Sequence, residues 1–303
     1  MLMRRFFFLC LLVSHLASAQ TSPVVQGTVH QPDVDLAYWV YGAASPNTPA
    51  IVVNGGPGFA HTYLLLNDVW NKLSQTRQIA FYDQRGDGES KLLKTHAPQG
   101  MAAQVADLEA LRVKLGFQKF DLVGYSWGGL LAMGYAAAHP DHVKSLLLID
   151  SAAPSLKATH ALFDDVYPDV AAKDAEIDKK LGNTPEAAKE ELNDYLGMIF
   201  YSQAHHDAFM AKLDPNVYNP AVGEAVTREV GKLDLSPALP KFDFPTLVIT
   251  GRFDMNVAPR NAWKMYKSIP HATFAVFSES GHVPFFEEPE KFEQVVGAFL
   301  AAH

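Results

Sequence analysis

Short apolar runs alternate with longer amphipathic segments along most of the chain, and this alternation constrains the fold more than any other feature. Near-continuous apolar runs such as residues 145–149 are typical of strands covered on both faces. The predicted fold class is therefore α/β, with a mostly parallel sheet flanked by helices. Strands are predicted at residues 24–29 and 35–41, which form an opening hairpin, and at 50–53, 78–82, 120–124, 143–149, 246–250 and 273–277. Helices are predicted at residues 101–115, 129–138, 260–268 and 289–302.

The alternation breaks between residues 152 and 240, where strand-like runs are few and Ala, Lys, Glu and Asp are frequent. This composition predicts several helices, and the strand pattern resumes at Phe244. Ligands of open α/β sheets bind at the carboxyl ends of the strands, so an inserted helical segment is expected to cover that edge. The predicted organisation is a core of residues 20–151 and 241–303 with a helical lid of residues 152–240.

The first nineteen residues have the pattern of a signal peptide. Arg4 and Arg5 precede an apolar run at residues 6–13, and small residues at positions 17–19 form a cleavage signal. The apolar run is too short to span a bilayer, so no stable membrane anchor is expected after cleavage. Cleavage would also remove Cys10, the one cysteine, and with it any disulfide or Cys-ligated metal. We therefore expect a periplasmic or secreted protein.

The charge balance bears on the partners that the protein can bind. Its 33 acidic and 25 basic residues give a formal net charge of −8. Nucleic-acid binding requires a concentrated basic face, so no nucleic-acid partner is predicted. No group of histidines and carboxylates has the spacing of a metal site, and neither a metal nor another cofactor is expected.

The pentapeptide Gly124-Tyr125-Ser126-Trp127-Gly128 follows a predicted strand and precedes a predicted helix. In this strand–turn–helix setting, the G-x-S-x-G pattern holds a serine in a strained backbone conformation that exposes its hydroxyl above the sheet. The flanking glycines allow neighbouring backbone to approach closely. Ser126 is therefore the candidate nucleophile.

A serine hydroxyl needs an adjacent base, which is itself oriented by a third group. Among twelve histidines, His282 follows the last predicted strand and completes the chain order Ser…Asp…His. Two acids compete for the third role. Asp254 follows the strand at residues 246–250 in a Gly-x-x-Asp turn, and Asp150 ends the strand before the lid. The turn favours Asp254, whereas Asp150 could instead cap the following helix.

Backbone N–H groups must face the negative charge that develops on the attacked carbonyl oxygen. One is expected from Trp127, which follows the candidate nucleophile. The other is expected from the glycine-rich turn at residues 54–58, and Gly56 is the candidate because Pro57 has no N–H to donate.

Three further residues are candidate substrate contacts. Gly55 adjoins the predicted oxyanion donor, and the aromatic side chains of Tyr125 and Phe285 could line a pocket, although core positions would explain both equally well. The turn that begins at Asp83 is expected to be structural, held by an ion pair between Asp83 and Arg85.

Several motifs together resemble those of a known family. Gly-Gly-Pro-Gly at 55–58, Asp-Gln-Arg-Gly-Asp-Gly-Glu-Ser at 83–90, the segment 124–129 and Gly-Arg-Phe-Asp at 251–254 occur in order, followed by Asn261-Ala262-Trp263 and Ser280-Gly281-His282. They resemble the proline iminopeptidases and the related tricorn-interacting aminopeptidases of the α/β-hydrolase fold. The resemblance covers roughly residues 45–150 and 240–300. It implies that Ser126, Asp254 and His282 form the triad and that residues 55–58 form the oxyanion loop.

The sequence departs from the family at Asn54, where histidine is usual, and in its predicted export, since many members are cytoplasmic. The resemblance implies a serine aminopeptidase that releases N-terminal proline, or another small residue, from short peptides through an acyl-enzyme. In the family, lid glutamates hold the free amine of the substrate, and Glu190, Glu191 and Glu224 are candidates here.

Two other functions remain open from the sequence. A carboxylesterase or lactonase would use the same triad on a neutral acyl substrate, and a non-catalytic binding protein would keep only the pocket. The expected partner is accordingly a small peptide or a small ester.

Overall fold

The computed structural model describes residues 22–159, 161–182 and 184–303. The predicted signal peptide, residues 1–19, lies outside the described residues. Within those ranges, no helix combines the length and the apolar character needed to cross a bilayer.

Nine strands of the described chain form one sheet. They are β1 (Val25–His30), β2 (Val34–Tyr41), β3 (Ala50–Val53), β4 (Ile79–Tyr82), β5 (Lys91–Leu92), β6 (Phe120–Tyr125), β7 (Val143–Ile149), β8 (Thr246–Gly251) and β9 (Ala272–Phe277). The spatial order is β1-β2-β4-β3-β6-β7-β8-β9, and β5 pairs with β2. The first two strands form the predicted antiparallel hairpin, and β4, β3, β6, β7, β8 and β9 run parallel. The predicted α/β class with a mostly parallel sheet is therefore confirmed.

Helices cover both faces of this sheet. Those of the described residues are α1 (Val69–Leu73), α2 (Met101–Leu115), α3 (Trp127–Ala138), α4 (Phe163–Val166), α5 (Pro168–Leu181), α6 (Pro185–Met198), α7 (Gln203–Met210), α8 (Pro220–Val230), α9 (Pro259–Ser268), α10 (Pro284–Glu287) and α11 (Pro289–Ala302). Helices α4 to α8 lie between β7 and β8, in the segment predicted to form the lid. Helix α3 begins two residues before the predicted helix, directly after Ser126.

Two apolar clusters form the core, one on each face of the sheet. Ile51 and Leu122 contribute to the cluster that contains residues of α2, α3 and α8, whereas Val52 and Val123 contribute to the cluster that contains residues of α1, α6 and α11. Successive residues of a strand point to opposite faces, so both faces of these strands must be apolar. Because α6 and α8 also contribute to the clusters, part of the inserted segment is anchored in the core.

The turn after β4 differs from the sequence prediction. Arg85 forms a two-bond ion pair with Asp107 of α2, at 2.7 Å and 2.8 Å, rather than with Asp83. Asp83 instead accepts hydrogen bonds from the backbone N–H groups of His61 and Glu89. The predicted Asp83–Arg85 pair is wrong because Arg85 has a partner on a distant helix that no local pattern indicates.

A second buried ion pair joins the sheet to the last helix. Arg77 donates one hydrogen bond to Asp121 at the start of β6 and another to the carbonyl oxygen of Leu300 in α11, both 2.8 Å long. Burial raises the pKa of the Asp121 carboxyl to about 6, so the carboxylate is ionised at higher pH.

We expect Arg77→Met to lower the free energy of unfolding by about 3–5 kcal/mol, because it leaves the ionised Asp121 buried without its partner. Urea denaturation at about pH 8, above the pKa of Asp121, measures this change. The exposed Lys114→Met is the control and should change the free energy by less than about 0.5 kcal/mol. Equal midpoints and slopes for the two variants would show that the Arg77 ion pair contributes nothing.

Candidate active site

Ser126 occupies a tight turn between the end of β6 and the start of α3. Its backbone has φ of 54° and ψ of −122°, a strained conformation for a residue with a side chain. The Ser126 N–H donates to the carbonyl oxygen of Ile149 in β7, 3.0 Å away. Its carbonyl oxygen accepts from the N–H groups of Gly129 and Ala152, at 2.9 Å and 3.0 Å. These bonds to two neighbouring segments hold the turn in its strained form.

Glycine is required on both sides of this turn. A Cβ atom on Gly124 would lie 2.5 Å from the carbonyl oxygen of Gly128, and one on Gly128 would lie 2.2 Å from the carbonyl oxygen of Val53. Both distances are far inside van der Waals contact with rigid backbone. The spacing of the two glycines therefore follows from the space available around Ser126.

Ser126, His282 and Asp254 meet beyond the carboxyl ends of the parallel strands, and all three are buried. The Oγ atom of Ser126 lies 3.0 Å from Nε2 of His282, and Nδ1 of His282 lies 2.7 Å from Oδ2 of Asp254. The second oxygen of Asp254 accepts from the backbone N–H groups of Asn256 and Val257. When Nδ1 donates its proton to Asp254, Nε2 is left to accept the serine proton.

Asp150, the competing acid, directly follows β7 and lies beside these hydrogen bonds. Its Oδ1 accepts the N–H of Gly251 at 2.7 Å, whereas its buried Oδ2 has no hydrogen-bond partner among the described residues. Burial, and then the negative charge of Asp254, raise the pKa of Asp150 well above its ordinary value. The structure thus pairs His282 with Asp254 and leaves Asp150 as a neighbouring carboxyl that favours its neutral form.

The glycine-rich loop lies directly against the serine. The N–H of Gly55 donates to the hydroxyl of Tyr63 at 2.6 Å, and a Cβ on Gly55 would lie 2.8 Å from Cβ of Ser126. Gly55 therefore lets the loop approach Ser126, and the structure places it outside the cavity lining. Gly56 lines the cavity beside Ser126, and Trp127 is the first residue of α3, where N–H groups have no intrahelical acceptor.

A chain of side-chain hydrogen bonds connects this loop to the serine turn. Asn54, which replaces the usual histidine, donates to the carbonyl oxygen of Phe59 at 2.7 Å. Gln84 donates to the carbonyl oxygen of Asn54 and accepts from the indole N–H of Trp127, both at 2.8 Å. Gln84 was not among the predicted site residues, although its place in the motif at residues 83–90 was an available signal.

A cavity of about 1220 Å³ opens above Ser126. Ligand pockets commonly measure about 300–1,000 Å³, so this cavity has room for more than one amino-acid residue. The lining comes from the loop after β3, the strand ends and the helices α6, α7 and α8. It includes Pro57, Phe59, Tyr63, Tyr125, His282, Leu192, Tyr195, Phe209, Tyr218, Thr227 and Arg228.

Two of the three predicted lid carboxylates reach this cavity. Glu191 of α6 and Glu224 of α8 line it. Burial raises the pKa of the Tyr218 phenol, and the negative charges of Glu224 and Glu191 raise it further. Glu190 is exposed and outside the lining, because successive helical residues point about 100° apart. The structure therefore places Glu191 and Glu224, but not Glu190, at the cavity.

The two aromatic side chains predicted to contact substrate lie in different places. Tyr125 lines the cavity, and its hydroxyl donates to the carbonyl oxygen of His282 at 2.8 Å. Phe285 is buried in the core behind it, with the two ring centroids 5.3 Å apart. The structure therefore places Phe285 in the core rather than in the cavity lining, where its ring packs against Tyr125.

Asn256 and Tyr195 also adjoin the candidate base, and the sequence analysis missed both. The amide nitrogen of Asn256 lies 3.2 Å from Nε2 of His282 and donates to the Tyr195 hydroxyl at 2.9 Å. Asn256 follows Asp254 by two residues, which was a local signal, but nothing in the sequence places Tyr195 of α6 beside it.

The sequence also matches a known family of proteins over most of its length. Residues 48–289 match the family described as alpha/beta hydrolase fold. The chain belongs to the α/β-hydrolase family. The predicted fold name is thereby confirmed.

Individual relatives indicate which α/β hydrolases the chain is similar to in sequence and in fold. A proline iminopeptidase from Lactobacillus delbrueckii subsp. lactis is 29% identical over 287 residues, which cover 86% of this chain and 92% of the relative. One from Levilactobacillus brevis is 30% identical over 273 residues, covering 86% and 90%. A solved esterase from Exiguobacterium antarcticum shares the fold, with a TM-score of 0.71 at 21% identity over 88% of this chain and 96% of the esterase. The resemblance to proline iminopeptidases is confirmed.

We expect Asp254→Asn to lower kcat for p-nitrophenyl acetate by roughly 10⁴-fold, because an amide at this position favours the wrong imidazole tautomer. Asp150→Asn should cost less than about tenfold, since an amide resembles the neutral carboxyl and still accepts from Gly251. Steady-state kinetics of both variants measures the difference. A larger loss in Asp150→Asn than in Asp254→Asn would assign the orienting role to Asp150.

Proposed function

We propose that this α/β-hydrolase is a serine aminopeptidase that releases N-terminal proline, or another small residue, from short peptides. The observation that carries the proposal is the hydrogen-bonded row Ser126–His282–Asp254 at the floor of a cavity whose lid presents Glu191 and Glu224. The proline iminopeptidase relatives support the same substrate class.

In the proposed acylation step, Oγ of Ser126 attacks the carbonyl carbon of the N-terminal residue while Nε2 of His282 takes the hydroxyl proton. The carbonyl oxygen becomes an oxyanion, stabilised by the N–H groups of Gly56 and Trp127. Asp254 keeps the imidazole in the required tautomer and stabilises the imidazolium. His282 then gives its proton to the leaving amine, and the shortened peptide departs.

Deacylation uses the same groups in the same order. A water molecule enters where the leaving amine was, and His282 removes its proton as the water oxygen attacks the acyl carbon. Collapse of the second tetrahedral intermediate breaks the bond to Ser126, returns the proton to Oγ and releases the free amino acid.

Recognition of the free N-terminus distinguishes an aminopeptidase from an esterase. Glu191 and Glu224 supply two carboxylates to a cavity otherwise lined largely by aromatic and aliphatic groups. Phe59 and Tyr218 also line the cavity and pack against each other with tilted rings, their centroids 4.7 Å apart. We assign the carboxylates to the substrate ammonium and these rings to the apolar ring of proline.

We propose a periplasmic or secreted location for this activity. The proposal rests on the sequence pattern of residues 1–19 alone.

We expect wild-type protein to release p-nitroaniline from proline p-nitroanilide and Ser126→Ala to lower kcat by roughly 10⁶-fold, because the nucleophile is lost. Acetylation of the proline nitrogen should abolish cleavage, because it removes the positive charge that the lid carboxylates bind. A chromogenic assay measures both effects, with circular dichroism as the control for folding.

The same assay separates the alternatives. Cleavage of p-nitrophenyl acetate without cleavage of the proline anilide would instead favour a carboxylesterase or lactonase. Near-normal turnover by folded Ser126→Ala would reject the serine mechanism.

We expect Glu191→Gln and Glu224→Gln each to raise KM for proline p-nitroanilide about tenfold or more, because each removes a charge facing the ammonium. The KM for p-nitrophenyl acetate, which has no amine, should stay unchanged. Glu190→Gln is the matched control, since it removes a charge from the position next to Glu191 in α6 but outside the cavity. Equal effects of all three variants on the anilide would contradict the assignment.

A further inference from the structure

Glu287, in α10, joins the lid to the loop that carries His282. Its side chain is fully buried. One carboxylate oxygen accepts the N–H of Gly281 at 2.7 Å, and the other accepts the N–H groups of Tyr201 and Ser202 at 2.9 Å and 3.0 Å. Gly281 immediately precedes His282, and Tyr201 and Ser202 connect α6 to α7. A single carboxylate therefore binds the backbone of both the His282 loop and the α6–α7 connection.

The backbone of His282 also contacts the connection between α6 and α7 directly. The N–H of His282 donates to the carbonyl oxygen of Ile199, 2.7 Å away, one residue beyond the end of α6. A Cβ on Gly281 would lie 2.2 Å from the same oxygen, so the two segments are in the closest contact that glycine allows. A shift of the α6–α7 connection would therefore move His282.

We propose that ionised Glu287 is a positioning residue for His282, holding the lid connection and the base in one arrangement, and that protonation of this carboxyl loosens both. This inference rests on the proposed serine mechanism. An ionised carboxylate accepts hydrogen bonds at both oxygens, whereas the protonated form presents an O–H to one of the three backbone N–H groups.

The titratable groups that bear on Glu287 lie on α7 and directly after α10. His205 of α7 has Nδ1 3.9 Å from Oε1 of Glu287, and the adjacent Glu288 is paired with Lys291 at 3.2 Å. Burial raises the pKa of Glu287 to about 7, the three N–H groups oppose this rise, and the charge of Glu288 adds to it. The carboxyl is thus protonated below about pH 7 and ionised above it.

The test uses Glu287→Gln, which mimics the protonated carboxyl at every pH. A fluorophosphonate probe reports the reactivity of Ser126 through the second-order rate constant of labelling. We expect wild type to react roughly ten- to a hundredfold faster than Glu287→Gln at about pH 9, since small displacements of catalytic groups cost that much. The ratio of the two constants should approach one at about pH 5, where wild-type Glu287 is itself protonated. The exposed Glu290→Gln is the charge control and should match wild type throughout.

Two results would overturn the role of ionised Glu287. One is a ratio of labelling rate constants, wild type to Glu287→Gln, that is near one at high pH, and the other is a ratio that stays constant as the pH falls. Failure of the probe to label wild-type Ser126 would overturn the serine mechanism itself.

Amide hydrogen exchange of wild type provides a measurement that needs no variant. Protection of Gly281, Tyr201 and Ser202 should fall as the pH drops through about 7, and unchanged protection would also overturn the proposal.

Discussion

The backbone at Ser126 is the constraint on which the rest of the site depends. The chain passes from β6 into α3 through a single residue with positive φ, a conformation that costs about 1–3 kcal/mol and persists only where surrounding structure imposes it. Hydrogen bonds to β7 and to the segment after it impose it here, and glycines at 124 and 128 leave room for it. The strain thus places the hydroxyl at the carboxyl edge of the sheet and starts α3 beside it.

The inserted helices belong to the site as much as the sheet does. The carbonyl of Ile199 holds the backbone of His282, and Tyr195 contacts Asn256, whose amide faces the imidazole. Glu287 adds a buried carboxylate between the same two segments. The inserted helices therefore both line the cavity and contact the backbone of His282, so α6 connects the cavity wall directly to that residue.

The parts of this structure that sequence could predict are those with local causes. Strand and helix periods place the sheet, and the glycine spacing around Ser126 follows from backbone contacts within one turn. The parts that it missed depend on contacts between distant segments. Arg85 pairs with Asp107 instead of its neighbour Asp83, and Phe285 faces the core because α10 turns it behind Tyr125. Glu190 and Glu191 are neighbours on one helix, so which of them faces the cavity depends on the rotation of α6. No bounds were predicted for that helix, and its rotation could therefore not be predicted either.

Two acids at the ends of adjacent strands differ in their hydrogen-bond partners. Asp254 accepts two backbone N–H groups besides its contact with the imidazole, so both of its oxygens have partners. Asp150 accepts one N–H and is otherwise surrounded by the core and by the charge of Asp254, so its neutral form is favoured. The acid that contacts the imidazole is therefore the one whose two oxygens both have donors, whereas the acid that favours its neutral form makes no hydrogen bond to His282 among the described residues.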